Sequence, residues 1–255
     1  MNGSLNFEPL AWAFATGFFV AFVWLWFWLK EDEAPEPRHL ILLAFVGGML
    51  AIPIALVTQC AWLSAVLKYI QFDNIDCTNG VPANITGMTS IVMLVGFAAI
   101  EEFVKYFAVL ALIFWRKEYD EPADAMIYLM TAALGFAAVE NVFYLWNPFQ
   151  NALLHGFTIA NLRFLGPTLL HALSSGIFGY FIAKSFLSGW LHKGFDVLLG
   201  FLSATVLHSL FNVFILKSGG YKIEPALLLL GIAGIFILFS FEQIKHTIKK
   251  YYAKR

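Results

Sequence analysis

Long apolar stretches constrain the fold of this chain more than any other feature. A segment that crosses a bilayer needs about 20 mostly apolar residues, and the sequence holds such segments at 8–29, 39–62, 89–115, 124–146, 162–184, 196–216 and 225–243. Hydrophobic residues make up 60% of the chain and charged residues 13%, whereas soluble domains carry about 25% charged residues. We therefore expect an all-α, polytopic transmembrane bundle of about seven spans, with the lipid bilayer as its partner.

The segments between these stretches are too short for a second folded unit. We therefore expect residues 1–255 to form a single transmembrane domain, with loops at 63–88 and at 147–161, the second of which includes His155. The first segment has no positively charged start and is too long for the apolar core of a signal peptide, so we interpret it as a span. The net charge of −1 indicates no nucleic-acid partner.

The distribution of Lys and Arg predicts the orientation in the membrane, because cytoplasmic loops carry an excess of both. Of the 16 basic residues, eleven lie in the loops after the first, third and fifth spans and in the C-terminal tail, and four lie on the other side. The remaining one, Lys105, is inside a span. This asymmetry predicts an N-terminus outside the cell and a C-terminus inside.

Two cysteines, Cys60 and Cys77, both fall near the predicted outer side. They form no metal-binding motif, and two cysteines do not make a disulfide framework. Their placement permits one disulfide, but two unpaired thiols are the simpler interpretation.

Charged residues within the spans are the first sign of function. Glu101, Glu102, Lys105 and Glu140 lie well inside predicted spans, where each costs about 2.5–3.5 kcal/mol on insertion scales. Such residues face a cavity or one another and usually serve a function. Two adjacent carboxylates repel each other, so a purely structural role would need one at most. We therefore expect Glu101 and Glu102 to belong to a functional site, with one of them paired to Lys105.

Four consecutive spans bring polar side chains to a similar depth. Helical spacing pairs Glu140 with Tyr144 and His208 with Asn212, both at i,i+4. His171 lies in the span between these two pairs. At a rise of about 1.5 Å per residue, these groups and Glu101 all fall between the outer interface and the midplane. A single wet cavity shared by four helices is the expected arrangement.

Such a set of residues permits several kinds of chemistry. Imidazole and carboxylate groups bind Zn²⁺ and activate a water. The same groups support metal-free acid–base hydrolysis, proton relay in a transporter, or, through the two histidines, haem ligation. A transporter predicts half-helices and inverted repeats, of which the sequence shows neither, and a haem site has no need of carboxylates.

The order of the motifs resembles that of a known family. EEFVK at 101–105, GFAAVEN with Tyr144, RFLGPTLLH at 163–171 and HSLFN at 208–212 follow one another in successive spans. This combination resembles the PrsW family of intramembrane proteases, which is related to the type II CAAX prenyl endopeptidases. Lys105 and Glu140 match the PrsW branch, because the prenyl endopeptidases have an arginine one position later than Lys105 and a histidine in the second motif. The match covers residues 90–215, which we take as the catalytic core.

The resemblance implies peptide-bond hydrolysis in or near the membrane, with a metalloprotease mechanism. It implies a catalytic set of Glu101, Glu102, Glu140, His171, His208 and Asn212. We expect a divalent metal, Zn²⁺ for preference, held by His171, His208 and Glu140, with Glu101 or Glu102 as general base. The supporting residues would be Lys105, Asn141, Tyr144 and Arg163.

The expected substrate is a membrane-anchored protein or peptide, cleaved in a cavity toward the extracytoplasmic half of a prokaryotic cell membrane. A proton-coupled transporter that uses the same Glu and His residues is the alternative.

Overall fold

The computed structural model describes residues 7–69, 87–186, 190–218 and 223–252. A 3₁₀ turn, Leu29–Glu31, follows the first of eight α-helices in these residues, and no strand occurs among them. The helices are α1 Glu8–Trp28, α2 Arg38–Tyr69, α3 Gly87–Leu112, α4 Pro122–Asn151, α5 Leu153–Leu165, α6 Pro167–Phe186, α7 Trp190–Ser218 and α8 Glu224–Tyr252. Seven helical segments are long and apolar enough to cross a membrane when α5 and α6 are taken together, so the predicted seven-span, all-α fold is confirmed.

Helix α4 forms the centre of the bundle. Every residue from Pro122 to Ala138 is buried, and α4 packs against α1, α2 and α6. Small residues make this packing close, because helices in lipid associate by van der Waals contact rather than by the hydrophobic effect. A Cβ atom added at Gly135 would lie 2.0 Å from the carbonyl oxygen of Phe45 on α2, and one at Gly48 would lie 1.8 Å from that of Ala132 on α4.

The outer surface of the bundle is apolar. Large hydrophobic side chains on the peripheral helices are exposed, among them Phe19, Leu50, Val57, Leu154 and Phe239. In a soluble protein a surface of this kind would be an aggregation hazard, whereas in a bilayer it faces acyl chains. The inside and outside of this protein are therefore both apolar, and polar groups mark the exceptions.

The predicted loop at 147–161 is wrong, because the chain is helical on both sides of Ala152. Helix α4 runs through Pro148 to Asn151, and α5 begins at Leu153, so His155 lies in a helix. The extended backbone of Ala152 (φ −166°, ψ 144°) accounts for the whole connection. Proline and polar residues suggested a loop, but α5 is amphipathic and does not need a continuous apolar run.

The fifth predicted span is likewise not one helix. Helix α5 ends before Gly166, and α6 begins at Pro167. Proline lacks the N–H that would continue the hydrogen-bond ladder, and it is well placed in the first turn of a helix. The break therefore follows from the Gly-Pro pair within the predicted span.

Cys60 near the end of α2 is disulfide-bonded, and the described residues contain no free cysteine. The expectation of two unpaired thiols is therefore wrong for Cys60, while Cys77 lies outside the described residues. Helix α2 also continues to Tyr69, so the predicted loop at 63–88 begins later than expected.

Candidate active site

Glu102 on α3 is the most completely bonded carboxylate of the polar cluster. Its side chain is fully buried, and Lys105 Nζ lies 2.7 Å from its Oε1. The hydroxyls of Ser174 and Ser175 on α6 donate to its two oxygens at 2.9 and 3.0 Å. On α7, His208 Nδ1 lies 2.8 Å from Oε1. Because each contact satisfies part of a buried charge, Glu102 ties three helices together.

Hydrogen-bonding capacity fixes where the two histidines carry their protons. Lys105 is also 3.0 Å from His171 Nδ1, and an ammonium can only donate. His171 Nδ1 is therefore the acceptor, and its Nε2–H donates to Glu140 Oε2 at 3.1 Å. By the same logic, His208 donates from Nδ1 to the carboxylate of Glu102, so in the neutral imidazole Nε2 is the nitrogen that carries no proton.

Arg163, near the end of α5, holds Glu140 in place. Its Nη2 donates to Glu140 Oε2 at 2.7 Å and its Nε donates to Asn141 Oδ1 at 2.5 Å. Asn141 in turn donates to the hydroxyl of Thr168 at 2.9 Å. The guanidinium also lies 4.2 Å from the ring centre of Tyr144. Four of the residues predicted as catalytic or supporting thus form one network across α4, α5 and α6.

A contact with α1 holds the end of α5, next to Arg163. Trp24 on α1 donates its indole N–H to the carbonyl of Phe164 at 2.9 Å, and the two rings stack with centroids 5.2 Å apart. A carbonyl in the last turn of a helix has no intrahelical partner, so the indole replaces the missing bond. The end of α5 is therefore fixed by a tertiary contact.

Glu101 differs from its neighbour Glu102 in having an unused oxygen. Its Oε1 accepts a hydrogen bond from Gln59 Nε2 on α2 at 2.9 Å. Its Oε2 is buried and has no hydrogen-bond partner among the described residues. That atom lies 3.9 Å from His171 Nδ1 and 3.7 Å from His208 Nε2. A buried, unpaired carboxylate oxygen is costly, so this geometry indicates a site for a ligand or for reacting atoms.

The three groups fit a divalent metal ion. Ligand atoms of Glu101, His171 and His208 all lie within 4.8 Å of one another, and tetrahedral ligands about 2.1 Å from Zn²⁺ are about 3.4 Å apart. Each histidine also has a carboxylate behind it, Glu140 for His171 and Glu102 for His208. A histidine that binds a metal through one ring nitrogen almost always donates its other N–H to a carboxylate, a carbonyl or a water, which fixes the orientation of the ring. The formal charges give a third argument, since Glu101, Glu102 and Glu140 outnumber Lys105 and Arg163 by one negative charge.

The cluster forms the floor of a cavity of about 1010 Å³. The cavity lies in the half of the bundle that contains the end of α2 and the start of α3, as its lining from Leu63, Leu94, Leu216 and Ile223 shows. Most of the lining is apolar, and the polar groups at its floor include Glu101, Glu140, His171, His208, Asn212, Tyr144, Arg163 and Gln59. A mainly apolar cavity with a few converging polar groups is the usual form of an active site.

The structure brings together nearly all the residues that the sequence singled out. Asn212 and Tyr144 line the cavity, although Tyr144 is 59% exposed. The predicted metal set of His171, His208 and Glu140 stays a prediction, and the structure groups Glu101 rather than Glu140 with the histidines. Gln59 was missed, because none of the four motifs lies in α2. An amide within the apolar run ALVTQCAWL was the signal that could have revealed it.

Fold and site together describe an integral membrane protein with a buried acid–histidine cluster at a cavity within the membrane-spanning bundle. This arrangement is the one expected of an intramembrane hydrolase. Comparison with known proteins agrees with it: the sequence profile described as "PrsW family intramembrane metalloprotease" matches residues 36–240. The chain belongs to this family and is an intramembrane protease.

Curated relatives are similar over most of the chain. Protease PrsW of Oceanobacillus iheyensis is 29% identical over 82% of this chain and 86% of its own length. Protease PrsW of Geobacillus kaustophilus is 31% identical over 63% and 60% of the two chains, and that of Bacillus subtilis is 27% identical over 79% and 88%. No solved structure matches. These relatives are bacterial, and the chain is an integral protein of a bacterial membrane.

Proposed function

We propose that this protein is a metal-dependent endopeptidase that cleaves membrane-anchored proteins at the floor of the cavity. One observation supports the proposal above the others: Oε2 of Glu101 is buried, unpaired and directed at two imidazole nitrogens. The ion would be held by Glu101 Oε2, His171 Nδ1 and His208 Nε2. When bound, a divalent ion of this kind supplies a water of lowered pKa and polarises the substrate carbonyl.

The residues around these three atoms have distinct tasks in this proposal. Glu102 and Glu140 hold the two histidines in the tautomers that present Nε2 of His208 and Nδ1 of His171 as electron-pair donors. Lys105 must release His171 Nδ1 when the ion binds, and it remains paired with Glu102. Glu101 is the carboxylate that has an oxygen available for the ion, because both oxygens of Glu102 are bonded to other groups.

The walls of the cavity support the choice of substrate. Apolar side chains such as Phe97, Phe136, Phe143 and Phe211 line it, and they suit the apolar segment of a membrane-anchored polypeptide. Asn212 and Tyr144 stand at the same cavity and are suited to binding the substrate backbone or the developing oxyanion.

A cleavage assay tests the proposal. The purified protein in detergent is incubated with a panel of fluorescently tagged single-span membrane proteins, and the panel member cut fastest by wild type becomes the probe. We expect one Zn²⁺ per chain, and loss of both metal and cleavage in His208→Ala. His39→Ala, at an exposed position near the start of α2, is the matched control. Undiminished cleavage by His208→Ala would overturn the proposal, and cleavage by metal-free protein would overturn its metal-dependent form.

We also propose that the cavity lies in the extracytoplasmic half of the membrane. The support is the excess of Lys and Arg in the loops and tail at the opposite side of the bundle. Single cysteines placed at each terminus of a variant without Cys60 and Cys77 test this in intact cells. A membrane-impermeant maleimide should label the N-terminal cysteine and spare the C-terminal one; the reverse pattern contradicts the proposal.

A further inference from the structure

Gln59 is the one polar side chain of α2 that the structure joins to the buried acid–histidine cluster. Its Nε2 donates to Glu101 Oε1 at 2.9 Å, and both residues line the cavity. It lies outside the four motifs that carry the resemblance to the family. Its role therefore has to be derived from its contacts.

The orientation of Glu101 depends on this contact. Lys105, the nearest cation on the same helix, is bonded to Glu102 and His171. With Oε1 held by an amide from a neighbouring helix, the carboxylate plane is fixed and Oε2 is directed at the two imidazole nitrogens 3.7 and 3.9 Å away. Without the amide, the terminal torsion of a glutamate is broad and roughly twofold, so Oε2 would leave this direction for much of the time.

We propose that Gln59 is a positioning residue that sets the reactive orientation of Glu101, and this inference rests on the proposed function. The amide acts as a donor in this role. A carboxylate cannot replace it, because two ionised carboxylates repel where the amide attracts. A side chain of the same size and polarity therefore cannot replace Gln59 unless it also offers an N–H group to Glu101.

Two variants separate this role from a structural one. Gln59→Met keeps the length of the side chain and removes the donor, and Gln59→Glu keeps length and polarity but offers only acceptors. We expect both to lower kcat about 10- to 100-fold, the usual effect of losing an outer-shell partner, with KM changed less than about twofold. Gln243→Met is the matched control, since Gln243 accepts a hydrogen bond from Tyr180 on the far side of the bundle and should retain wild-type kinetics.

The test uses full-length protein and the probe chosen from the single-span panel. Zinc titration of metal-stripped protein provides a second measurement, in which we expect Gln59→Met to weaken apparent Zn²⁺ affinity about 10- to 100-fold without a change in Tm. Since Gln59 acts through Glu101, the double variant Gln59→Met/Glu101→Gln should be no less active than Glu101→Gln alone.

The outcomes distinguish this inference from the proposed function. Wild-type kcat in Gln59→Met, together with an inactive Glu101→Gln, overturns the role of Gln59 alone. A rise in KM at constant kcat also overturns it, because that result indicates direct contact with substrate. Full activity of Glu101→Gln overturns the proposed function and this inference with it.

Discussion

Two clusters of acidic residues lie at opposite ends of this bundle, and they use the same chemistry differently. In the candidate active site, the three carboxylates of Glu101, Glu102 and Glu140 meet the ammonium of Lys105 on α3 and side chains from other helices: a guanidinium, an amide, two imidazoles and two serine hydroxyls. At the other end, Asp124 Oδ2 accepts the backbone N–H groups of Asp120 and Glu121 at 3.0 and 2.9 Å. Long-range side-chain contacts dominate the first cluster, whereas local backbone contacts dominate that part of the second.

The second cluster has an evident structural task. It lies at the start of α4, where the helix dipole favours negative charge, and Asp124 and Glu121 form a capping box there. The hydroxyl of Tyr128 donates to Glu36, which ties the loop after α1 to α4. These acidic residues therefore cap the start of α4 and connect it to the loop after α1. Comparison with the candidate active site teaches that neither buried charge nor a buried unpaired oxygen, such as Oδ2 of Asp32, indicates function by itself. At Glu101 the unpaired oxygen is also directed at two imidazole nitrogens.

Glu101→Gln should have the largest effect on activity of the variants considered, and it is the most direct test of the difference between the two acidic clusters. The amide can still accept from Gln59, but it ligates metal poorly. We expect cleavage to fall about 100-fold or more and metal content to fall as well, with Tm unchanged. Glu118→Gln, at an exposed position, is the control. If the Glu101→Gln variant cleaved as fast as wild type, both acidic clusters would have a structural role and not a catalytic one.

Glu102→Gln should act on stability as well as on activity. The change removes the charge that compensates the fully buried Lys105, and breaking one side of a buried pair costs about 3–5 kcal/mol. We expect a marked fall in Tm and in expression, in contrast to Glu101→Gln. Adding Lys105→Met should restore part of the Tm, because the stranded ammonium is then gone. Equal Tm values for the two Glu→Gln variants would show that the adjacent carboxylates are equivalent after all.

Arg163→Lys tests the network around Glu140. A lysine keeps the charge but cannot contact Glu140 and Asn141 together, because it lacks the planar fork of a guanidinium. We expect activity to fall about 10-fold or more with a smaller change in Tm than for Glu102→Gln. Arg116→Lys in the loop after α3 is the matched control. Wild-type activity in Arg163→Lys would mean that the orientation of Glu140 does not depend on the paired contacts.

Asp32→Asn should have the smallest effect on stability. Asp32 lies in the loop after α1, in the acidic cluster at the start of α4. Burial raises the pKa of the Asp32 carboxyl above its usual 3.8, so the folded protein binds this proton more tightly than the unfolded chain does. The stability that this preference contributes is present below pH 3.8 and is lost as pH rises through the folded pKa. At pH 7, Asp32→Asn should therefore raise Tm by about 1–3 °C, and the gain should vanish near pH 3.

The acceptor role of Asp32 survives this change, since an asparagine Oδ1 can still receive the N–H of Ala34. Asp196→Asn on α7 is the matched control, and cleavage activity should be unaffected in both. A lower Tm for Asp32→Asn at pH 7 would contradict the argument.

Sequence reasoning was most successful where the physical signal is local. Apolar segments of bilayer length predict spans without any knowledge of neighbours, and the spacing within HSLFN or EEFVK places side chains on one helix face. It failed at Ala152 and at Gly166, where the helix ends do not coincide with the ends of apolar runs. It missed Gln59, because a single amide in α2 carries no pattern of its own.

The sequence by itself determined that this chain spans a membrane, and it predicted that Glu101, Glu102, Glu140, His171 and His208 lie together, because charge in an apolar span is costly and must be compensated. Only the tertiary structure decided how those residues divide their tasks. Lys105 is within one helical turn of both Glu101 and Glu102, and the sequence cannot choose between them. The serines of α6 and His208 of α7 surround Glu102, while Gln59 of α2 reaches Glu101 from the other side. Packing of neighbouring helices thus satisfies one carboxylate completely and leaves an oxygen of the other directed at the histidines.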